Sequence, residues 1–407
     1  MYSVLRGLNV VECSSFVAGP TCGLYLLQMG AEVVRIDNIG GGPDFNRWPR
    51  YKGGLSLYWE GLNKGKKSVA LDLASPEGKE LAVRIATAPG PEHGLFLTNF
   101  PLHGFLSHAN LVKRRADLIT VRIMGWANGR SALDYTVNCA TGIPLMTGPA
   151  ELGDAPVNHV LPAWDLLAGA SAAYAMLAAE RYRRQTGHGQ EVYIPLGEIG
   201  MATMGNLGQI AEVVASGESR ERLGNDIYGA FGRNFATADD HQVMVLAVTP
   251  LQWSALLKAL DIGEAVQGIE RSLGVSFAKD EGVRFEHRKV LFPLVEAKVG
   301  RMKLPDLKKI FGELGVCWEP YQTIKQALDA DPRFSAENPL FSQVTHPSGL
   351  TYLTPGASLS FNGLERMPAK RAPRLGEHTD EVLMSCLGMS SAEVGKLHDR
   401  GLAASSQ

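Results

Sequence analysis

Apolar and polar positions divide the chain into short runs that fit strands and longer stripes that fit helices. Gly7-Leu8-Asn9-Val10-Val11-Glu12 reads as a short strand, Pro20 to Met29 as a helix with proline in its first turn, and Ala31 to Asp37 as a second strand. Together they make a βαβ unit. Ser75-Pro76-Glu77 supplies an N-cap, a first-turn proline and an early acid, with Leu81 and Ile85 forming an apolar stripe behind them. Leu95 to Thr98 and Leu118 to Ile123 are further β-rich runs, and Gln190 to Leu196 looks like another buried strand. The Ala-rich stretch from Asp165 to Arg184 is long enough for about five helical turns, with Arg181, Arg183 and Arg184 near its end and Gly187 just beyond. Such alternation predicts an α/β fold with a mainly parallel sheet, whose ligands gather at the carboxyl ends of the strands.

From about Gly224 the pattern changes. Val243 to Val248 reads as a strand, Trp253-Leu260 and Arg288-Lys298 as helices, and Gly315-Val316-Cys317-Trp318 as a strand, which together predict a smaller second domain. Pro339 to Pro373 is turn-rich and Pro-rich, and a final helix is expected near Thr379-Leu387.

With 407 residues, two or three domains are expected at roughly 150 residues each. Hydrophobic residues at 45% and charged residues at 20% exclude disordered, collagenous and coiled-coil classes. Forty Lys+Arg against 42 Asp+Glu gives a net charge of -2, so no nucleic-acid partner is expected. Cys13, Cys22, Cys139, Cys317 and Cys386 are odd in number and never in a C-x-x-C pair, which argues against a disulfide framework or a zinc site and for a reducing compartment. Met1 to Gly7 lacks the basic and apolar regions of a secretion signal. The run Leu166 to Ala179 is too short to span a bilayer, which takes about 20 residues. The expectation is a soluble, cytoplasmic protein with no membrane partner.

The first βα turn, Ser14-Ser15-Phe16-Val17-Ala18-Gly19-Pro20, lacks the G-x-G-x-x-G spacing of a dinucleotide site. P-loop, H-E-x-x-H and G-x-S-x-G signatures are also missing. Gly40-Gly41-Gly42-Pro43 reads as a turn rather than a phosphate cradle. The basic loop Asn63-Lys64-Gly65-Lys66-Lys67-Ser68 either displays ammonium groups to a phosphorylated ligand or forms a solvated turn. Asn99-Phe100, at a strand end, offers an amide and an aromatic face to a nucleotide-like ligand, or packs into the core. Asp165 opens the Ala-rich helix, where an aspartate is ordinarily an N-cap.

Taken together, these segments resemble the class III CoA transferases, the formyl-CoA transferase and carnitine-CoA transferase family. The matching pieces are Ala18-Gly19-Pro20, Gly30 to Ile36, Asn63 to Leu73, Asn99-Phe100, Thr186 to Val192, Gly315-Val316 with Pro320, and Ala372 to Asp380, spread over nearly the whole chain. The resemblance implies that Asp165 is the nucleophile, passing through an aspartyl mixed anhydride and an aspartyl-CoA thioester with no metal or redox cofactor. Amides at the start of its helix are expected to stabilise the tetrahedral oxyanions. It further implies CoA contacts at Phe16, Val17, Ala18, Lys66, Leu71, Asn99 and Phe100. Racemases of the family use a His-Asp pair, which here reads Leu133-Asp134; Leu133 moves no proton, so racemisation ranks below transfer unless His159 takes over.

The resemblance also implies a large Rossmann-like domain built from both chain ends, with a smaller α+β domain inserted and two subunits interlocked as a homodimer. The corresponding ranges are 1–204 and 336–407 for the large domain, 222–325 for the small one, and 205–221 and 326–335 as linkers. A CoA-contacting arginine of relatives is replaced by Asn38, and a glycine-run flap by Tyr228-Gly229-Ala230-Phe231-Gly232-Arg233, which suggests a tighter pocket. A closed pocket suits CoA transfer between the two carboxyls of one small dicarboxylic acid such as mesaconate. The free carboxylate of such a substrate calls for a cation, with Arg47, Arg50 and Arg233 as candidates. Transfer to a separate dicarboxylate such as succinate, malate or citramalate is the runner-up, and a catalytically silent acyl-CoA binder the reading from another class.

Overall fold

Strand order places the site. In the computed structural model, which describes residues 1–406, β1 (Asn9–Cys13), β2 (Glu32–Asn38), β3 (Lys67–Leu71), β4 (Leu95–Thr98), β5 (Ile119–Met124) and β6 (Gln190–Pro195) form one parallel sheet. Their order is β3-β2-β1-β4-β5-β6, with the two-residue strand Ala403–Ala404 pairing antiparallel to β3. Val11 of β1 sits opposite Val34 of β2 on one side and Phe96 of β4 on the other. The chain winds one way from β1 through β2 to β3 and the other way through β4, so a crevice opens where β1 and β4 diverge, the usual place for a ligand in such sheets. Helices over both faces bury Val11, Ile36, Val69, Leu71 and Phe96 with Leu81, Ile85, Val382 and Leu383, which explains why these strands are apolar throughout.

The expected helix starts are present. Ser75 Oγ accepts the Gly78 amide at 3.0 Å and Pro76 opens the helix Pro76–Ala86. The Ala-rich helix runs Ala163–Thr186 and ends at Gly187 in the left-handed conformation, φ 77°. Gly169 on this helix lies so close to the helix Ala18–Gln28 that a Cβ there would come within 2.8 Å of the Ala18 carbonyl. Only glycine allows that approach, and it brings the second turn of this helix against the first turn of the other.

Two readings are corrected. β6 closes one edge of the sheet and its first four residues are partly or fully exposed, so it is not a buried strand. Thr379–Leu387 is not the final helix: Ser391–Asp399 follows, opened by a Ser390–Glu393 capping box. The turn-rich stretch also contains a hairpin, Phe341–Thr345 with Thr351–Pro355.

A charged cluster lies inside the sheet's flank. Arg35 of β2 donates to both oxygens of Asp37 (2.9 and 3.0 Å), to Asp44 (3.0 Å) and to Asn63 (3.1 Å), and lies over the Trp59 ring. Lys66 donates to Glu12 of β1 (2.8 Å), to Asn63 and to the Pro20 carbonyl (both 3.0 Å). Glu12, Arg35, Lys66 and Asp44 are all buried. The basic loop Asn63–Ser68 thus turns inward: Lys64 bonds the Gly61 carbonyl, and burial pushes its pKa down to about 8, while Lys67 pairs with Glu32 and Glu381.

The sheet belongs to one compact unit, residues 1–141, 159–211 and 332–406. A second unit comprises 142–158 and 212–331. Its antiparallel sheet β7 (Phe231–Ala236), β8 (Gln242–Ala247) and β9 (Cys317–Pro320) packs its helices over Phe231, Phe235, Trp253, Phe292 and Phe311. Arg222 ties 142–158 into this unit through the carbonyls of Thr147, Gly153 and Ala155.

Candidate active site

Asp165 is the third residue of its helix, not the cap; the cap position is Pro162, whose side chain accepts nothing. The acceptor comes from Asp134, first residue of the helix Asp134–Ala140, whose Oδ2 takes the amides of Trp164 at 2.7 Å and Asp165 at 3.0 Å. Its other oxygen lies 2.9 Å from His159 Nε2. Trp164 is held in turn by Asn138, which accepts from its indole N–H at 3.1 Å. The remaining first-turn amides are also engaged, Ala163 with the Leu161 carbonyl at 2.8 Å and Leu166 with that of Pro162 at 3.0 Å. The helix start therefore offers no free amide, which corrects the expected oxyanion donors.

The Asp165 carboxylate has no hydrogen-bond or ion-pair partner among the described residues. Burial, reinforced by the negative charge of Asp134 and opposed by Arg47, pushes its pKa up to about 7. Arg47 is exposed, lies 5.3 Å from the ring centres of both Phe16 and Tyr58, and forms no ion pair among the described residues. Arg47 and Asp165 thus face each other's fields with neither neutralised by a close contact. Phe16, at the β1 crevice, holds a non-glycine φ of 69°, a strained conformation of the kind that clusters at functional sites.

Of the other expected residues, Asn99 joins the two crevice loops: its Oδ1 accepts the Ser15 amide at 3.1 Å and its Nδ2 donates to the Ser15 carbonyl at 2.9 Å. Phe100 follows, partly exposed, and Val17 and Ala18 are buried where the helix Ala18–Gln28 begins. Lys66 and Leu71 are enclosed, the former inside the charged cluster. Arg50 lies over the exposed Trp48 and bonds the Asn46 carbonyl. Arg233 belongs to the second unit, where it stands over Phe292 and 3.9 Å from Asp226. The flap segment is partly strand there, since Phe231 to Arg233 lie in β7. Tyr58 and Asp134 were not expected at the site; the Leu133-Asp134 dipeptide marked the place, but the cap it supplies lies 30 residues on. Among the described residues no group of three or more His, Cys, Asp or Glu side chains is placed to hold a metal, and no helix is long and apolar enough to cross a membrane.

The crevice of a Rossmann-ordered sheet and an unpaired, half-buried carboxylate are thus both present in this chain, and comparison with known proteins gives the family. The model of CoA-transferase family III matches residues 5–379, and this chain belongs to that family of enzymes. The 2-methylfumaryl-CoA isomerase of Chloroflexus aurantiacus is 48% identical over 405 residues, covering 99% of this chain and 98% of the relative. Succinyl-CoA–D-citramalate CoA-transferase of the same organism is 28% identical over 97% of this chain and 96% of its own length. Among solved structures, a CAIB/BAIF family protein from Brucella suis superposes with a TM-score of 0.75 at 26% identity, covering 94% of this chain and 99% of that one.

Proposed function

We propose that this enzyme moves CoA between the C1 and C4 carboxyls of mesaconate (2-methylfumarate) within one substrate molecule, through an aspartyl-CoA thioester on Asp165. The observation that carries the reading is the unpaired Asp165 carboxylate, with a pKa near 7, acted on by the exposed and unpaired Arg47. The 48% identity to 2-methylfumaryl-CoA isomerase supports the choice of substrate. Asp165 attacks the C1 thioester carbon, the C–S bond breaks, and the sulfur leaves with its electron pair as thiolate. The thiolate then attacks the aspartyl carbon of the mixed anhydride, giving aspartyl-CoA and releasing the C1 carboxylate. The C4 carboxylate attacks aspartyl-CoA, and the expelled thiolate takes the C4 carbon and restores Asp165. A thioester replaces a thioester, so the exchange is close to energy-neutral and calls for no metal or redox cofactor.

Arg47 is assigned to the free carboxylate, ahead of Arg50 and Arg233, because it is the one whose charge acts on Asp165. The acyl-CoA is assigned to the crevice at Phe16, Val17, Ala18 and Phe100, shaped from beneath by Asn99, Lys66 and Leu71. A second copy of the chain is the expected partner, and Val160, Leu161 and Tyr174, 95%, 59% and 76% exposed, are apolar side chains that it could cover.

The test is to incubate the protein with mesaconyl-C1-CoA and isotopically labelled free mesaconate and to resolve the CoA esters by mass. Unlabelled C4 ester is the expected product. Labelled ester would mean exchange with free acid, the chemistry named for the 28% identical relative.

A further inference from the structure

Resting on that reading, we infer that Tyr58 is a further catalytic residue, its phenol O–H donating to the acyl oxygen that becomes negative when Asp165 attacks. Tyr58 lies in the first turn of the helix Leu57–Asn63, whose start is fixed by Ser56 Oγ accepting the Trp59 amide at 3.1 Å. Its hydroxyl is out of contact with water and has no hydrogen-bond partner among the described residues. A buried hydroxyl without a partner is uncommon because making no bond there is costly, so each such group calls for an explanation. Asp44, whose Oδ2 is likewise without a partner, and Asp165 both act on the phenol electrostatically, yet it bonds to neither. Burial, opposed by Arg47 and reinforced by these two carboxylates, pushes the phenol's pKa up, so it is still protonated and able to donate where Asp165 becomes charged near pH 7.

The need for such a donor follows from the helix start. All four first-turn amides beside Asp165 are already bonded, two of them to Asp134. When an Asp165 oxygen bonds to the thioester carbon, the carbonyl π pair moves onto oxygen, and that charge must be met from elsewhere. Arg47, lying over the Tyr58 ring, is assigned to the far carboxylate, which leaves the phenol for the reacting oxygen. Tyr58 donates a hydrogen bond without transferring its proton; the C=O re-forms as the C–S pair departs with sulfur.

Tyr58→Phe keeps the ring beneath Arg47 and removes only the oxygen. With mesaconyl-C1-CoA, kcat is expected to fall about 100-fold while KM changes less than about threefold, the signature of a bond made in the transition state. The melting temperature should hold or rise, since the hydroxyl has no native partner to lose. A kcat within about threefold of wild type overturns the proposal, as does a raised KM at unchanged kcat. A marked drop in melting temperature also overturns it, by returning the hydroxyl to a structural bond with Asp44. Wild type and Asp165→Asn run alongside: turnover that survives in Asp165→Asn defeats the nucleophile reading, whereas failure at Tyr58 alone leaves that reading standing.

Discussion

Two groups of charges lie within one unit of this enzyme, and they are treated in opposite ways. In the cluster of Glu12, Arg35, Asp37, Asp44, Asn63 and Lys66, nearly every polar atom has a partner at 2.8 to 3.4 Å, with Asp44 Oδ2 the exception. Around Asp165 the carboxylate, the Arg47 guanidinium and the Tyr58 hydroxyl have none among the described residues. Satisfied charges hold β1, β2 and the following loops in register, and they have nothing left to offer a ligand. Unsatisfied ones are ready for substrate, and the enclosed Tyr58 hydroxyl and half-buried Asp165 carboxylate are also costly to the fold. Within one chain, the degree of pairing separates architecture from chemistry better than residue type does.

The sharpest way to break the contrast is Asp165→Asn. Turnover should fall by about 10⁴-fold or more, while stability should improve. The folded-state pKa of Asp165 is raised to about 7 from 3.8, so the native state holds this proton more tightly than the unfolded chain does. Stability from this group is full at low pH and is lost as pH rises toward and through 7. The melting-temperature advantage of the variant should therefore be largest at about pH 8 and shrink toward about pH 5. An advantage that does not vary with pH would contradict the assigned titration.

Glu12→Gln should do the reverse, costing about 3 to 5 kcal/mol of stability by leaving Lys66 and Arg35 short of a counter-charge. Chemical denaturation reads that loss, and kcat of the protein that stays folded should remain within about twofold of wild type. Arg47→Ala should lower kcat/KM for the dicarboxylic thioester by about 10- to 100-fold, the value of one charged hydrogen bond, without lowering the melting temperature. If Arg47→Ala proves inert, Arg50 and Arg233 return as candidates. The smallest effect belongs to Asp134→Asn. It retains an oxygen for the Trp164 and Asp165 amides but removes a charge that holds the Asp165 pKa up, so the rise of kcat/KM with pH should shift below 7.

The sequence carried the alternation of β1, β2, β4 and β5 with helices and the capped start at Ser75, because those depend on neighbours within a few residues. Asp165 was legible through family resemblance and not through local pattern, which favoured a cap. What the pattern missed lies between distant residues: Asp134 supplies the cap across 30 positions, Lys66 finds Glu12 across 54, and Asn99 reaches Ser15 across 84. A lysine-rich loop has the same composition whether its ammonium groups face water or a buried glutamate. Tyr58 carried no signal, since an absent partner leaves no trace in sequence.

The strand Ala403–Ala404 covers the edge of β3 although more than 330 residues separate them. During synthesis β3 emerges early, and all of 212–331 must be made before that cover exists. For much of its time on the ribosome, the nascent chain therefore carries an open strand edge, the kind of surface that recruits other unfinished chains. Slowing translation after residue 211 should thus raise aggregation more than slowing it after 404, whatever the stability of the finished enzyme.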